Sequence, residues 1–372
     1  MIRKNITHPS THLNQNSSRK HLFSFSIQEH LALFKKQKHN HQSMVIARGF
    51  LIIFAVILFS SQIFAKTSPQ IEQQANKAIE QLYHSLDGLY KTTMPERIEW
   101  ISAQFKNKPY LLGALGEGYT ARFDQFPRYR TDAFDCATYV TTVMAIALAN
   151  NTKTFEQCLK QVRYKNGRRS YIHRNHFTSL DWNVNNQSQG FLQDITLTIK
   201  NHQDKPIAQI AKAVINKPAW YQYKTTVHIR LHPEHQQEQQ NRLEELKTKG
   251  QSLEIREAKI PYLPLNELFN NKKEANHYIF KQIPHGAIIE IIRPNWDLRE
   301  KIGTCLNVSH IGFAIWSNGI LYYREASSTE GKVIDIPLIS YLKNTLDSPT
   351  IKGINVQVIK PQTPFEGQCK IN

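Results

Sequence analysis

Cys136 stands in the stretch TDAFDCATYV, residues 131–140, directly after Asp135 and at the start of an apolar run. A cysteine so placed is a small buried hydrophobe, half of a disulfide, or a nucleophile, and a base within reach separates these readings. The segment VSHIGFAIWSNGILYYREASS, residues 308–328, carries one. Asn318-Gly319 is a preferred two-residue hairpin turn. With those two as the loop, Ser317 faces Ile320, His310 falls opposite Ser327 and Gly312 opposite Glu325. Alternation along strands then puts His310, Gly312, Ala314, Glu325 and Ser327 on one face, and Ile311, Phe313 and Ile315 on the other as a core stripe. The small residues Gly312 and Ala314 leave room for a helix to approach on the His310 face. Glu325 sits diagonally from His310, within reach of a long side chain.

The hairpin therefore presents an imidazole oriented by a carboxylate, and Cys136 supplies the missing nucleophile. Asp135 is a suitable N-cap, so the helix it opens runs to about Ala149 with Val140, Met144, Ala147 and Leu148 as its buried stripe. A cysteine in the first turn has its thiolate stabilised by the helix dipole, and more so beside an imidazolium. His310 would hold and later deliver the proton, Glu325 would fix the tautomer, and the Cys136 N–H could donate to an oxyanion.

The elements around these residues read as follows. Residues 69–87 place Ile71, Ala75, Ala78, Ile79, Leu82 and Leu86 at helical spacing, and Pro95 opens a second helix to about Phe105. The stretch NKPYLLGALGEG, residues 107–118, is a glycine-punctuated loop. Between about 160 and 275 the pattern is mixed, with a β-rich run ITLTI at 195–199 and a charged helix at 234–249. From 286 onward apolar, β-branched runs separated by turns predict strands at 287–292, 308–316, 319–326 and 354–359. The four cysteines, Cys136, Cys158, Cys305 and Cys369, form no CxxC pair, which argues against a zinc knuckle.

The first 65 residues are set apart by composition. Residues 1–43 carry six of the 16 histidines and no sustained apolar period, which reads as a disordered basic extension. From Met44, Arg48 provides a positive start, Phe50 to Phe59 an apolar run, and Ser60 to Ala65 a small, polar exit. That is the layout of a secretory signal peptide at 44–65, with Met44 as an alternative start of the chain. The run is shorter than the roughly 20 residues that span a bilayer, so an uncleaved anchor is the second reading. The remainder, 66–372, reads as one catalytic domain with a helical part at 66–107. It carries 39 basic against 29 acidic residues. An exported basic chain is drawn to anionic envelope polymers, and export argues against nucleic acid as a partner. It also permits a disulfide among Cys158, Cys305 and Cys369, with the pairing left open.

The series FDCATYV, then VSHIGFAI, then REASS resembles the NlpC-type cell-wall hydrolases, which are papain-like cysteine peptidases and amidases. The further stretches LGEGYTARFDQFPRYRTDAFDCATYV, RYKNG and RNHFTSLDW, in that order, resemble the N-acetylmuramoyl-L-alanine amidase-like branch over roughly residues 95–345. The resemblance implies an α+β, papain-like fold, with N-terminal helices on a mostly antiparallel sheet or barrel. It implies an insertion at about 160–275 that builds the substrate cleft. It also implies an exported cysteine amidase that works on peptidoglycan fragments in the periplasm or outside the cell, with Cys136, His310 and Glu325 as its catalytic set and no cofactor. Relatives often carry a tyrosine ahead of the loop glycines that helps the oxyanion. Leu112 takes that position here, which leaves the second donor unassigned. Glu325 stands where His, Asn or Gln is commoner.

Within the insertion Arg174 suits a substrate carboxylate through bidentate contacts, and Trp182 can stack on a sugar. His176, Asp181 and, on the hairpin, Ser327 complete the candidate substrate-binding set. The pair His173 and His176 also permits a zinc reading, but no further ligand stands at matching spacing, so no metal is expected. The competing functions are cleavage at the D-glutamate–diamino acid bond and a non-catalytic envelope-binding module.

Overall fold

The computed structural model describes residues 66–88 and 93–371. The basic extension 1–43 and the signal-peptide reading of 44–65 lie outside the described residues. Each of the first four helices starts at a local signal. Helix α1 (Ser68–Asp87) follows a Thr67–Gln70 capping box, and α2 (Met94–Ala103) a Thr93–Glu96 box with Pro95 in the first turn. Helix α3 (Cys136–Ala147) begins where the Asp135 carboxylate accepts the Thr138 N–H at 2.7 Å, while the Thr138 hydroxyl accepts the Asp135 N–H at 2.9 Å. Every residue of α3 from Tyr139 onward is buried, so this helix forms the centre of the core rather than an amphipathic surface. After a short loop, Asn151 caps α4 (Thr152–Arg163), which packs back along α3.

The helices cover one face of an antiparallel sheet. Its strands are β1 (Leu192–Asp194), β2 (Gln209–Asn216), β3 (Ile255–Pro264), β4 (Ile288–Leu298), β5 (Thr304–Ser317), β6 (Ile320–Ser327), β7 (Lys332–Pro337) and β8 (Gly353–Ile359). They lie in the order β2-β3-β8-β4-β5-β6-β7, with β1 also pairing β8. Ile288, Ile311, Phe313, Ile315, Ala326 and Val333 face α3 and its neighbours. Ile289, Ile291, Ala314, Leu321 and Tyr323 point the other way, into a second core closed by Phe280, Leu338 and Leu342. The fold is thus α+β with a sheet buried on both faces, as the resemblance implies. Among the described residues no helix is long and apolar enough to cross a membrane.

The β5–β6 hairpin has the register its turn dictates: Ser317 pairs Ile320, and Phe313 pairs Arg324. Asn318 and Gly319 both have positive φ, 49° and 76°, the conformation that suits the twist of the strands. Two local expectations fail. ITLTI is a short 3-10 turn at Thr196–Thr198, because the Asp194 carboxylate accepts the Thr196 N–H and the buried Thr196 hydroxyl binds Asn355 and Val356. Side chains take the backbone's bonding partners there, and the strand stops. The charged helix starts only at Gln239 and runs as α5 (Gln239–Gln251), after 3-10 turns over Pro233–Glu238. The insertion also does more than wall a cleft. Its strands β2 and β3 pair with each other, and β3 continues the sheet by pairing β8.

Cys158 of α4 is bonded to Cys369 across 211 residues, which settles the open pairing and leaves Cys136 and Cys305 free. Closing so long a loop removes unfolded-chain entropy worth about 5 kcal/mol. Glu290 is a second stability element. It is wholly buried in β4, where its carboxyl group accepts from Asn183 at 3.0 Å and Gln357 at 3.1 Å. Burial, against those two hydrogen bonds, pushes its pKa from 4.5 up to about 8. Between those values the folded chain keeps a proton that the unfolded chain has lost, so this group makes stability fall as pH rises, levelling off above about 8. Glu290→Gln keeps the shape and removes the titration. The variant's thermal midpoint should therefore decline less than the parent's between about pH 5 and 8. Parallel declines in the two proteins would refute this account of Glu290.

Candidate active site

The free thiol sits at a junction that three local features build. Tyr110 bridges Phe134 in parallel, with Leu111 N–H donating to the Phe134 carbonyl at 2.8 Å and Phe134 N–H to that of Pro109 at 3.1 Å. Asp135 then caps α3 with one carboxylate oxygen and accepts the Gly113 N–H with the other at 2.9 Å. Cys136, the next residue, is half-buried at the helix tip, where the helix supplies no carbonyl for its N–H. One aspartate thus ties the thiol-bearing helix to the loop that follows Tyr110.

The loop from Gly113 to Gly118 is held from outside by arginines. Arg230 donates to the Gly113 and Leu115 carbonyls and to Asp124, and Arg163 donates to the Gly116 carbonyl at 3.2 Å. Arg174 binds Glu117 and Asp124. Burial raises the Glu117 pKa in spite of Arg174, whereas at Asp124 Arg174 and Arg230 outweigh burial and hold the pKa below the ordinary carboxylate value. These carboxylates and guanidiniums compensate one another in a nearly water-free setting, so removing one partner would strand a buried charge.

His310 and Glu325 lie at the opposite side of this junction. The β5–β6 ladder ends at Phe313–Arg324, while β5 goes on pairing β4 and β6 goes on pairing β7. The hairpin therefore opens at the end that bears His310 and Glu325. There His310 Nε2 is hydrogen-bonded to a Glu325 carboxylate oxygen, and Cys136 lies near enough to the same imidazole for its charge to act on it. Burial would depress the His310 pKa, but the Cys136 and Glu325 charges beside it prevail and raise it to about 10. The ring meets Tyr323 edge-on at 5.9 Å, and Tyr341 follows behind Tyr323.

The direction of approach differs from the sequence expectation. Helix α3 lies on the Ile311–Phe313 face, not on the His310 face. Gly312 makes room for Tyr323 instead: a Cβ there would fall 2.6 Å from that ring. Cys136 comes near the imidazole because it is at the helix tip, beside the opened strands. The sequence reading also passed over Tyr110. Leu112, the residue considered there, is 72% exposed, whereas Tyr110 packs against the core by Cys136. Burial first, then the negative charges of Cys136, Asp135 and Glu325, raise the Tyr110 pKa, so its phenol stays protonated and can donate. The signal was present in KPYLLGA, two residues before the position considered.

The candidate substrate-binding residues divide. Arg174, His176 and Trp182 line, with Ala137, Thr138 and Ile311, a cavity of about 210 Å³ against the first turn of α3. Arg174 has its charge matched by Glu117 and Asp124, as described. His176 bonds the Tyr171 carbonyl through Nε2 at 2.8 Å, and burial holds it neutral. Trp182 is buried. Asp181 is paired with Lys217 at 2.6 Å, and the Ser327 hydroxyl accepts the Glu330 N–H at 3.3 Å; neither lines the cavity. His173 bonds Ser170 through Nδ1, and among the described residues no group of three or more His, Cys, Asp or Glu is arranged to hold a metal ion.

The chain is similar to known proteins. A family profile described as N-acetylmuramoyl-L-alanine amidase-like matches residues 100–351. The crystal structure of a protein from Legionella pneumophila is 55% identical, covers 81% of this chain and 99% of its own, and superposes with a TM-score of 0.78. An N-acetylmuramoyl-L-alanine amidase from Bacteroides uniformis is 25% identical over 72% of this chain and 99% of its own, with a TM-score of 0.51. No curated protein matches the sequence. With its helices, its antiparallel sheet and a match across most of its length, the chain belongs to the N-acetylmuramoyl-L-alanine amidase-like family, the NlpC-type branch that its motifs resemble.

Proposed function

We propose that this protein is an exported cysteine amidase that hydrolyses peptidoglycan fragments at the bond between N-acetylmuramic acid and L-alanine. One observation carries the reading: a thiol at the tip of a buried helix lies beside an imidazole that a carboxylate already holds. Nε2 is occupied by Glu325, so Nδ1 serves the sulfur. The imidazolium steadies the thiolate of Cys136, which attacks the amide carbonyl. The oxyanion then faces the Cys136 N–H and the Tyr110 hydroxyl, the two donors at that place. His310 passes its proton to the departing amine, the peptide half leaves, and water hydrolyses the thioester.

The cavity lined by His176 and Trp182 adjoins the first turn of α3 and takes part of the substrate. Arg174 serves it through the loop, since both its acid partners are on or beside that loop. The bond assignment comes from the family to which the chain belongs and from the Bacteroides uniformis amidase.

Digestion of defined muropeptides, read by mass, tests the assignment. The expected products are a free peptide beginning with L-alanine and an unsubstituted muramic sugar. A sugar that retains L-Ala–D-Glu would move the cut to the D-glutamate–diamino acid bond. No product at all would favour a binding module.

A further inference from the structure

Helix α4 has two unlike sides. Phe155, Cys158, Leu159 and Val162 enter the core, while Lys153, Glu156 and Lys160 face outward. With Arg128, Arg163 and Arg169 they line a cavity of about 560 Å³ that the mechanism does not use. Five cations and one acid surround it. Arg128 is committed to Glu72 at 2.6 Å and Glu156 at 3.4 Å, and Arg163 to two backbone carbonyls. Lys153, Lys160 and Arg169 are exposed and have no hydrogen-bond or ion-pair partner among the described residues. Lys165 and Arg168, exposed in the turn just before Arg169, add further positive charge next to it in the chain. Cations gathered this way repel one another until an anion arrives.

Their spacing says what kind of anion. Lys153 and Lys160 are seven residues apart on one helix, about 10 Å along its axis. A single phosphate is gripped by converging donors, whereas these charges are strung out. An extended peptide advances about 3.3 Å per residue, so carboxylates roughly three residues apart match that separation.

Position links the groove to the reaction. Helices α3 and α4 are joined by four residues and pack antiparallel, so Lys160 and Arg163 lie beside the Cys136 end of α3. Arg163 also lines the 210 Å³ cavity at that turn. We infer that the basic groove on α4 is a subsite for the acidic peptide half of the substrate, Lys153, Lys160 and Arg169 pairing with its carboxylates. The identity of the peptide rests on the function proposed above; the preference for spaced carboxylates rests on the groove alone.

Binding separates the two. In the full chain carrying C136A, titration of synthetic L-Ala–D-Glu–diaminopimelate–D-Ala by calorimetry at low salt should show saturable binding. K153E/K160E/R169E should weaken it by about tenfold or more, with an unchanged thermal midpoint, and added salt should weaken it in the parent. The same peptide with all carboxylates amidated should bind the unaltered groove no better than the acidic peptide binds the triple variant, a comparison that needs no second fold to survive. Equal affinity for the amidated and acidic peptides, or an undiminished affinity in the triple variant, would overturn the subsite. So would displacement of the peptide by inorganic polyphosphate at matched charge, which would make the groove a general polyanion surface. If the parent cuts no muropeptide yet binds the peptide as described, the amidase reading fails and the groove stands. Cleavage with an unchanged KM in the triple variant would sink the groove alone.

Discussion

Cys136→Ala is expected to reduce muropeptide turnover by about a thousandfold or more, with the fold intact. No other group at the helix tip can form the acyl intermediate, and Asp135, which caps the helix and anchors the Gly113 loop, is left in place. The loss should fall on kcat, because Tyr110 and the cavity are left in place to receive substrate. The reactivity of the thiol gives an independent check. Cys158 and Cys369 are bonded to each other, and Cys305 is 7% exposed, with burial and then Asp297 raising its pKa. Brief treatment with iodoacetamide near neutral pH should therefore label Cys136 alone and abolish activity in step with labelling, as read by peptide mass. Full activity in the alanine variant, or in a fully labelled protein, would refute the nucleophile.

Glu325→Ala should be nearly as damaging, with a loss of about a hundredfold to ten-thousandfold in kcat/KM. Glu325 does two things for His310: it fixes the ring through Nε2, and its charge helps raise the imidazole pKa. Glu325→Gln retains a hydrogen-bonding partner without the charge, so it should recover part of the rate. The two variants should differ from the parent in pH dependence as well. With the His310 pKa raised from 6.5 to about 10, the imidazolium persists through neutral pH, and the alkaline limb of kcat/KM should lie near 10 in the parent. Losing the carboxylate moves that limb toward lower pH. The same shift carries a stability statement. The ion pair's contribution is complete below about 6.5 and disappears as pH climbs toward 10. An alkaline limb that stays put in Glu325→Gln would remove Glu325 from the charge set, leaving it only a packing role.

Much of this geometry was legible where the controlling forces are local. Asp135 followed by Thr138 specifies a helix start, and Asn318-Gly319 specifies a turn whose register places His310 and Glu325 on one face. Both are short-range preferences that hold wherever the segment lies. The reading failed where a residue's meaning depended on a distant neighbour. Gly312 is small because the Tyr323 ring packs over it, not because a helix arrives. Leu112 holds the donor position by its offset from the glycines and leaves the donor unassigned, whereas the parallel bridge to Phe134 sets Tyr110 against the core beside Cys136. Arg174 looked free to bind a substrate until Glu117 and Asp124 were placed against it.

Local signals specified most of the elements, the hairpin register as far as Phe313, the family resemblance and which residues were chemically capable of acting together. Only the tertiary structure decided which of them meet. It chose Cys369 as the partner of Cys158, carried the insertion's strands into the main sheet, and opened the hairpin at the end near the helix tip. The physical reason is the range of the forces. Caps and turns are settled by neighbours a few positions away, whereas contact between residues 136 and 310 depends on how a buried helix and a two-sided sheet share one core, and no short window of sequence contains that information.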